Sequence, residues 1–157
     1  MGTDGEKRPI TRLLEALEER KIRYVLIGMS AAVVQGVMGQ TLDVDLWIDL
    51  PSRQYMLPIN IALKNGATMA ANTVVYLEDG MPVNFVYEVT GLPSFRTERK
   101  KSVMLPFHGK VVPVLPLERI HKSKKSILRD KDIVHIRLIE EFWKCEKGRT
   151  KRPAKHK

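Results

Sequence analysis

Two aspartates separated by one residue are the strongest chemical signal in this sequence. Asp43 and Asp45 alternate with Val44 and Leu46, which is the pattern of a half-buried strand. Because successive side chains of a strand point to opposite faces, both carboxylates lie on one face, roughly 6–7 Å apart. Two carboxylates that close repel each other unless a cation lies between them. The pair therefore predicts a Mg²⁺ site for a substrate that carries phosphates.

A glycine turn lies fifteen residues before Asp43 and is the second feature. It consists of Gly28, Met29 and Ser30, and it joins a short apolar run to a predicted helix that Ser30 could cap. Backbone N–H groups and the dipole at a helix start favour a phosphate, and glycine lets the phosphate approach closely. We expect these three residues to contact the substrate. Either feature alone has a plain alternative: a solvated strand face, or a glycine that merely ends a strand.

The elements around these residues alternate between helical and extended patterns. Periodicity predicts helices over 9–23, 30–35, 52–66, 117–129 and 131–144, strands over 24–27, 42–50, 73–77, 81–87, 102–106 and 110–115, and a loop over 91–102. This order predicts an α/β (α+β) domain, a mixed sheet of about five strands flanked by helices. We expect Asp43 and Asp45 at the edge of that sheet, in an open cleft.

Composition narrows the class of protein. The chain has 157 residues, about one domain's worth, with 43% apolar and 29% charged residues. A single cysteine, Cys145, excludes an intrachain disulfide and a cysteine-built zinc site. Neither a signal peptide nor an apolar run of roughly 18–20 residues is evident, so we expect a cytoplasmic protein without a membrane span.

The positive charge is concentrated at one end of the chain. The net charge is +9, and residues 144–157 contain seven Lys or Arg and one acidic residue. We therefore predict a single domain over 1–143 followed by a basic disordered tail over 144–157. The tail could bind RNA or another polyanion through counterion release, or it could serve only as a solubilising end.

Three local patterns together point to a known family. They are Tyr24–Gly28 after an amphipathic helix, Gln35-Gly36 leading to the Asp43–Asp45 pair, and Leu115–Arg119 followed by Ser123-Lys124 and Arg129–Asp132. With these patterns the chain, from about residue 10 to 143, resembles the nucleotidyltransferase-fold superfamily (polymerase-beta-like). It looks closest to small prokaryotic members related to the nucleotidyltransferases of type IV toxin–antitoxin and abortive-infection systems.

The resemblance implies metal-dependent transfer of a nucleotidyl group from an NTP to an acceptor that the sequence does not identify. Asp43 and Asp45 would hold one or two Mg²⁺ ions, and Gly28 and Ser30 would contact the triphosphate. Three cations, Lys124, Arg129 and Lys131, could neutralise phosphate charge, although Lys131 and Asp132 could equally be a structural pair. RNA, a protein or a small metabolite such as an aminoglycoside could be the acceptor, and an antitoxin-like partner protein or a homodimer could complete the cleft.

The sequence also departs from the family pattern. The family carries a third carboxylate on a later strand, where this chain has Asn84, which can coordinate a metal but cannot accept a proton as a carboxylate does. Met29 stands where a second glycine is common. These departures leave an alternative: a catalytically degenerate module that binds nucleotide or a partner protein, with RNA association through its tail. We expect Trp47 to pack at the rim of the cleft, with base stacking as the alternative, and the histidines to be surface or partly buried residues.

Overall fold

A mixed sheet forms the centre of the protein. The computed structural model describes residues 7–40 and 43–151, with side chains up to residue 148, and this part of the chain contains seven strands. The strands are β1 (Tyr24–Ile27), β2 (Val44–Ile48), β3 (Thr68–Met69), β4 (Val74–Tyr76), β5 (Pro82–Val86), β6 (Val103–Phe107) and β7 (Lys110–Val114). The helices are α1 (Pro9–Glu19), α2 (Gly28–Val34), α3 (Met56–Lys64), α4 (Phe95–Lys101), α5 (Leu117–Ile127) and α6 (Asp130–Lys151).

The strand order is β3-β4-β5-β2-β1-β7-β6. Strand β2 runs antiparallel to β1 and parallel to β5, while β1 runs parallel to β7. The C-terminal ends of β1 and β7 therefore meet the N-terminal ends of β2 and β5 at one end of the sheet. The register places Asp45 opposite both Ile27 and Asn84. Topology alone thus gathers the glycine turn, the aspartates and Asn84 at one end.

The predicted α/β class with a mixed sheet flanked by helices is confirmed, with differences of detail. The sequence missed β3, whose two residues are both exposed and give no alternation. The aspartates were placed at the edge of the sheet, but β2 is an interior strand with a neighbour on each side. Leu42, where that strand was predicted to begin, lies outside the described residues.

Two helix predictions were wrong. The predicted loop over 91–102 contains α4, whose start is capped by the Ser94 hydroxyl accepting from the Thr97 N–H at 3.3 Å. Only Phe95 and Glu98 of this short helix are buried, so its apolar periodicity is too weak to see. The last helix was predicted to end at residue 144, but it continues to Lys151.

The helical end of α6 changes the predicted tail. The first half of that tail, residues 144–151, is helical rather than disordered. The hydrogen bond with His121 lowers the pKa of Glu140, and the charge of Lys144 one turn later lowers it further. A glutamate four residues before a lysine is a spacing that supports a helix. Residues 152–157 lie outside the described part of the chain.

The core fills both sides of the sheet. One face of α1 is buried, as its periodicity predicts, and so are Val44, Leu46 and Ile48 of β2. Trp47 is 1% exposed; its indole N–H donates to the Tyr87 carbonyl at 3.3 Å, and its ring meets Phe95 edge-to-face at 5.7 Å. Trp47 is therefore a core residue, and both positions predicted for it, at the rim or stacked on a base, were wrong. Each helix in the described part of the chain is too short or too polar to span a bilayer.

Candidate active site

The carboxylate of Asp45 lies directly against Gly28. This glycine has a φ of +73°, and a Cβ built on it would lie 2.5 Å from the Asp45 Oδ2. Both observations disfavour a side chain at this position, since a left-handed φ strains L-residues and the Asp45 carboxylate would have to move. Gly28 therefore leaves room for the Asp45 carboxylate. The sequence analysis assigned this glycine only a role in the close approach of a phosphate.

Asn84 is the cross-strand neighbour of Asp45 in the pairing of β2 with β5. The Thr73 hydroxyl donates to Asn84 Oδ1 at 3.0 Å, and the Asn84 amide lowers the pKa of Asp45 by acting as a donor to its carboxylate. An ionised carboxylate only accepts, so the amide NH₂ must face Asp45 and the amide oxygen must face Thr73. Asn84 is thus a donor to Asp45, and its oxygen is engaged away from the pair.

The ionisation of Asp45 reflects competing influences. Burial raises the pKa of Asp45 above its ordinary value, and the neighbouring Asp43 charge adds to this. The hydrogen bond from Asn84 and the charges of Lys131 and Lys124 lower the pKa and oppose that effect. A further cation beside Asp45 would therefore stabilise its ionised carboxylate.

Three cations reach the same end of the sheet from the corner between α5 and α6. These cations are Lys124, Arg129 and Lys131, and the first two share one anion, Asp132, which is 0% exposed. Its carboxylate accepts from the Arg129 guanidinium at 2.7 and 3.2 Å, from the Arg129 backbone N–H at 3.0 Å, and from Lys124 Nζ at 3.5 Å. Burial raises the pKa of Asp132, but the bonds from Arg129 outweigh this and hold it below its usual range. The predicted Lys131–Asp132 pair is therefore replaced by pairs of Asp132 with Arg129 and Lys124.

Two sets of hydrogen bonds fix the position of α5, the helix that carries Lys124. Gln35 donates to the Leu115 carbonyl at 2.8 Å and accepts from the Leu117 N–H at 3.2 Å, so α2 holds the start of α5. Glu98, which is fully buried, accepts two 2.8 Å bonds from the Arg119 guanidinium. This paired geometry, typical of arginine and carboxylate, ties α4 to α5.

Two cavities meet at Asp45. The larger, about 350 Å³, is mostly charged. The other, about 240 Å³, has an apolar wall that includes Val86, Ile120 and Ile127. Both are lined by Asp45, Lys124, Arg129 and Lys131, whereas Asp43 and Met29 line only the charged cavity and Gly28 and Asn84 only the other.

The donor set fits a magnesium ion that shares its ligands with a substrate. Asp43 and Asp45 offer carboxylate oxygens to one cavity, and Mg²⁺ commonly binds through one or two carboxylates, water and substrate phosphates. Among the described residues no group of three His, Cys, Asp or Glu side chains is placed to hold a metal. The protein would therefore supply only part of the shell.

Most of the predicted site residues come together, and one does not. Ser30 is buried and its hydroxyl lies 3.5 Å from the Ile27 carbonyl, while α2 begins at Gly28, so Ser30 does not cap the helix. The sequence missed the contributions of Thr73 and His135, the latter in contact with Lys124. The spacing of Asp132 and His135 on one helix face was the available signal for His135.

Comparison with known proteins bears on the fold. Neither a protein-family model nor the sequence of a curated protein matches the chain. Solved structures do match. TM1012 of Thermotoga maritima, named as a nucleotidyltransferase, has a TM-score of 0.57 at 18% identity, over 87% of this chain and 93% of its own. The chain has a nucleotidyltransferase-like fold.

Two further structures share this fold. The lincosamide antibiotic adenylyltransferase LnuA, bound to lincomycin, has a TM-score of 0.55 at 14% identity, over 84% of this chain and 94% of its own. ANT(2'')-Ia, in complex with adenylyl-2''-tobramycin, has a TM-score of 0.59 at 18% identity, over 92% and 93%. Because the chain spans nearly the whole of each, the likeness covers the complete fold. The predicted relation to toxin–antitoxin proteins stays a prediction.

Proposed function

We propose that this protein binds a nucleoside triphosphate together with Mg²⁺ beside Asp45 and transfers a nucleotidyl group to an acceptor. One observation carries the proposal: two carboxylates and three cations line the same cavity, namely Asp43, Asp45, Lys124, Arg129 and Lys131. Carboxylates alone suit a metal and cations alone suit an anion, whereas a metal–polyphosphate needs both. The shared fold with adenylyltransferases supports the same reaction class.

Each side chain then has a defined task. Asp43 and Asp45 would hold the metal, which when bound neutralises phosphate charge and orients the reacting oxygens. Lys124, Arg129 and Lys131 bind phosphate oxygens and stabilise the negative charge that develops on the leaving pyrophosphate. The acceptor, whether part of an RNA, a protein or a small molecule, enters through the more apolar cavity next to Asp45.

Calorimetry tests the binding step. The protein is titrated with ATP, GTP, CTP and UTP, with and without Mg²⁺, beside the double variant Asp43→Asn/Asp45→Asn. We expect Mg²⁺-dependent binding of at least one nucleotide, lost in the double variant. Asp49→Asn is the matched control, because Asp49 follows the same strand but pairs with Arg23 at 2.9 Å, outside the cavities. If wild type binds no nucleotide under any condition, the proposal is wrong.

The amide of Asn84 favours a second candidate, a module that binds nucleotide without transferring it. An amide cannot take a proton from an acceptor hydroxyl as a carboxylate does, and the Asn84 oxygen already accepts from Thr73. Transfer of α-phosphate label from the bound nucleotide to RNA, protein or a small hydroxyl compound would eliminate this candidate. Asn84→Asp sharpens the assay, since it restores a carboxylate and should raise transfer to hydroxyls if a missing base limits the rate.

A further inference from the structure

His135 makes the closest contact with Lys124. The Nδ1 of His135 lies 2.9 Å from Lys124 Nζ, whereas the Asp132 oxygen lies 3.5 Å away. Asp132 also accepts three shorter bonds from Arg129, so it is mainly the partner of the arginine. The direction of the Lys124 amino group is therefore set chiefly by His135.

The chemistry of the two groups fixes the roles in this contact. A lysine ammonium has three donors and no acceptor, so Nδ1 must accept and the histidine proton must lie on Nε2. Burial and the nearby Lys124 charge lower the pKa of His135 to about 4, which keeps the ring neutral and able to accept at physiological pH. Burial lowers the pKa of Lys124, but Asp132 and Asp45 oppose this effect.

Lys124 is almost entirely buried but borders the candidate site. The residue is 8% exposed, yet it lines both cavities beside Asp45. His135 and Asp132 occupy two of its three donors, which leaves the third for a ligand. Without His135 the ammonium could turn toward Asp132, within the ion network below the cavity.

We propose that His135 is a positioning residue that holds the Lys124 ammonium toward the cavity, so that its remaining N–H meets a phosphate oxygen. The phosphate part of this inference rests on the proposed function. The positioning part concerns only the two side chains, and it can be measured without any ligand.

Two substitutions separate the hydrogen bond from the space that the ring fills. His135→Phe keeps a ring but removes the acceptor, and His135→Asn restores an acceptor near the Nδ1 position. His121→Phe is the matched control, because His121 also lies between α5 and α6 but bonds Glu140 at 2.7 Å. Lys124→Arg identifies the Lys124 signal in proton–nitrogen NMR of the lysine ammonium groups, and urea unfolding measures stability.

Inorganic tripolyphosphate with Mg²⁺ is the binding probe. We expect His135→Phe to weaken its binding by at least about tenfold, the usual effect of losing a hydrogen bond to a charged group. His135→Asn should recover most of the affinity, and His121→Phe should leave it unchanged. In NMR, the Lys124 ammonium signal should shift and exchange faster with water in His135→Phe alone.

The outcomes separate the two ideas. If wild type binds tripolyphosphate and His135→Phe changes neither the affinity nor the Lys124 signal, the positioning role is wrong and the proposed function stands. If the Lys124 signal responds as expected but wild type binds neither tripolyphosphate nor any nucleotide, positioning is supported and the proposed function fails. Equal losses in His135→Phe and His135→Asn would reduce His135 to a packing residue and overturn the inference.

Discussion

Replacing Gly28 by alanine tests the central contact of the site. An alanine there must adopt a φ of +73°, which costs roughly 1–2 kcal/mol. Its Cβ would also lie 2.5 Å from the Asp45 Oδ2, so the carboxylate has to move. Moving it breaks the hydrogen bond from Asn84, and a bond to a charged group is worth about 1.5–3 kcal/mol. We expect Gly28→Ala to lower the free energy of unfolding by about 2.5–5 kcal/mol.

Gly80 provides a matched control for the backbone part of that cost. Its φ is +89°, and a Cβ there meets nothing within 4 Å. Gly80→Ala should therefore cost only roughly 1–2 kcal/mol. In a chain of this size each kcal/mol shifts the melting temperature by roughly 2–4 °C, so urea unfolding and melting curves distinguish the two variants.

A second background isolates the carboxylate itself. With Asp45→Ala already present there is no carboxylate to displace, so adding Gly28→Ala should cost no more than Gly80→Ala does. Mg²⁺-dependent nucleotide binding, measured by calorimetry, should weaken by at least about tenfold in Gly28→Ala and stay unchanged in Gly80→Ala. If Gly28→Ala and Gly80→Ala have equal stability in the wild-type background, the contact between Gly28 and Asp45 does not exist as described.

Three further perturbations test other parts of the molecule. Asp132→Asn should lower stability by roughly 3–5 kcal/mol, because Lys124 and Arg129 lose a buried anionic partner; Asp130→Asn, an exposed neighbour, is the control in urea unfolding. The pKa of Asp132 is lowered in the native protein. Its contribution to the free energy of unfolding is therefore complete above its ordinary pKa of about 3.9 and is lost as the pH falls through the native value. The stabilities of wild type and Asp132→Asn should consequently converge in acid. Thr73→Val should cost about 1 kcal/mol by removing the donor to Asn84, and Asn72→Ala, at an exposed neighbour, checks that the loss is specific. Deleting residues 144–157 should flatten the salt dependence of single-stranded RNA binding by roughly 0.7 in log–log slope per lost phosphate contact; an unchanged slope would make the tail a solubilising end.

The aspartate pair shows what sequence reasoning could reach. Period-two alternation placed Asp43 and Asp45 on one face, and Asn84 was correctly assigned to a later strand beside them. The direction of the Asn84 amide could not be predicted from the sequence. It depends on Thr73, which the pairing of β4 with β5 brings alongside Asn84. A residue type states what a side chain can donate or accept, and only its neighbours decide which it does.

The same reasoning explains why His135 was overlooked. Helices close to α5 and α6 were predicted, but not the sharp corner between them, where Leu128 has a φ of +56°. That corner sets Lys124 against His135 across two helices. Helix α4 was missed for a related reason. The burial of its Glu98 depends on the ion pair with Arg119 of α5, a contact between distant parts of the sequence.

Asn84 also determines how metal and nucleotide should depend on each other. A third carboxylate opposite Asp45 would add repulsion that only a bound cation could relieve. Asn84 instead donates to Asp45, which reduces the demand for a metal and removes one anionic ligand. Two carboxylates alone hold Mg²⁺ weakly, and the cations beside them favour a phosphate. Each ligand therefore supplies what the other lacks, so Mg²⁺ and nucleotide should bind with strong positive coupling, and either one titrated alone should bind much more weakly than in the presence of the other.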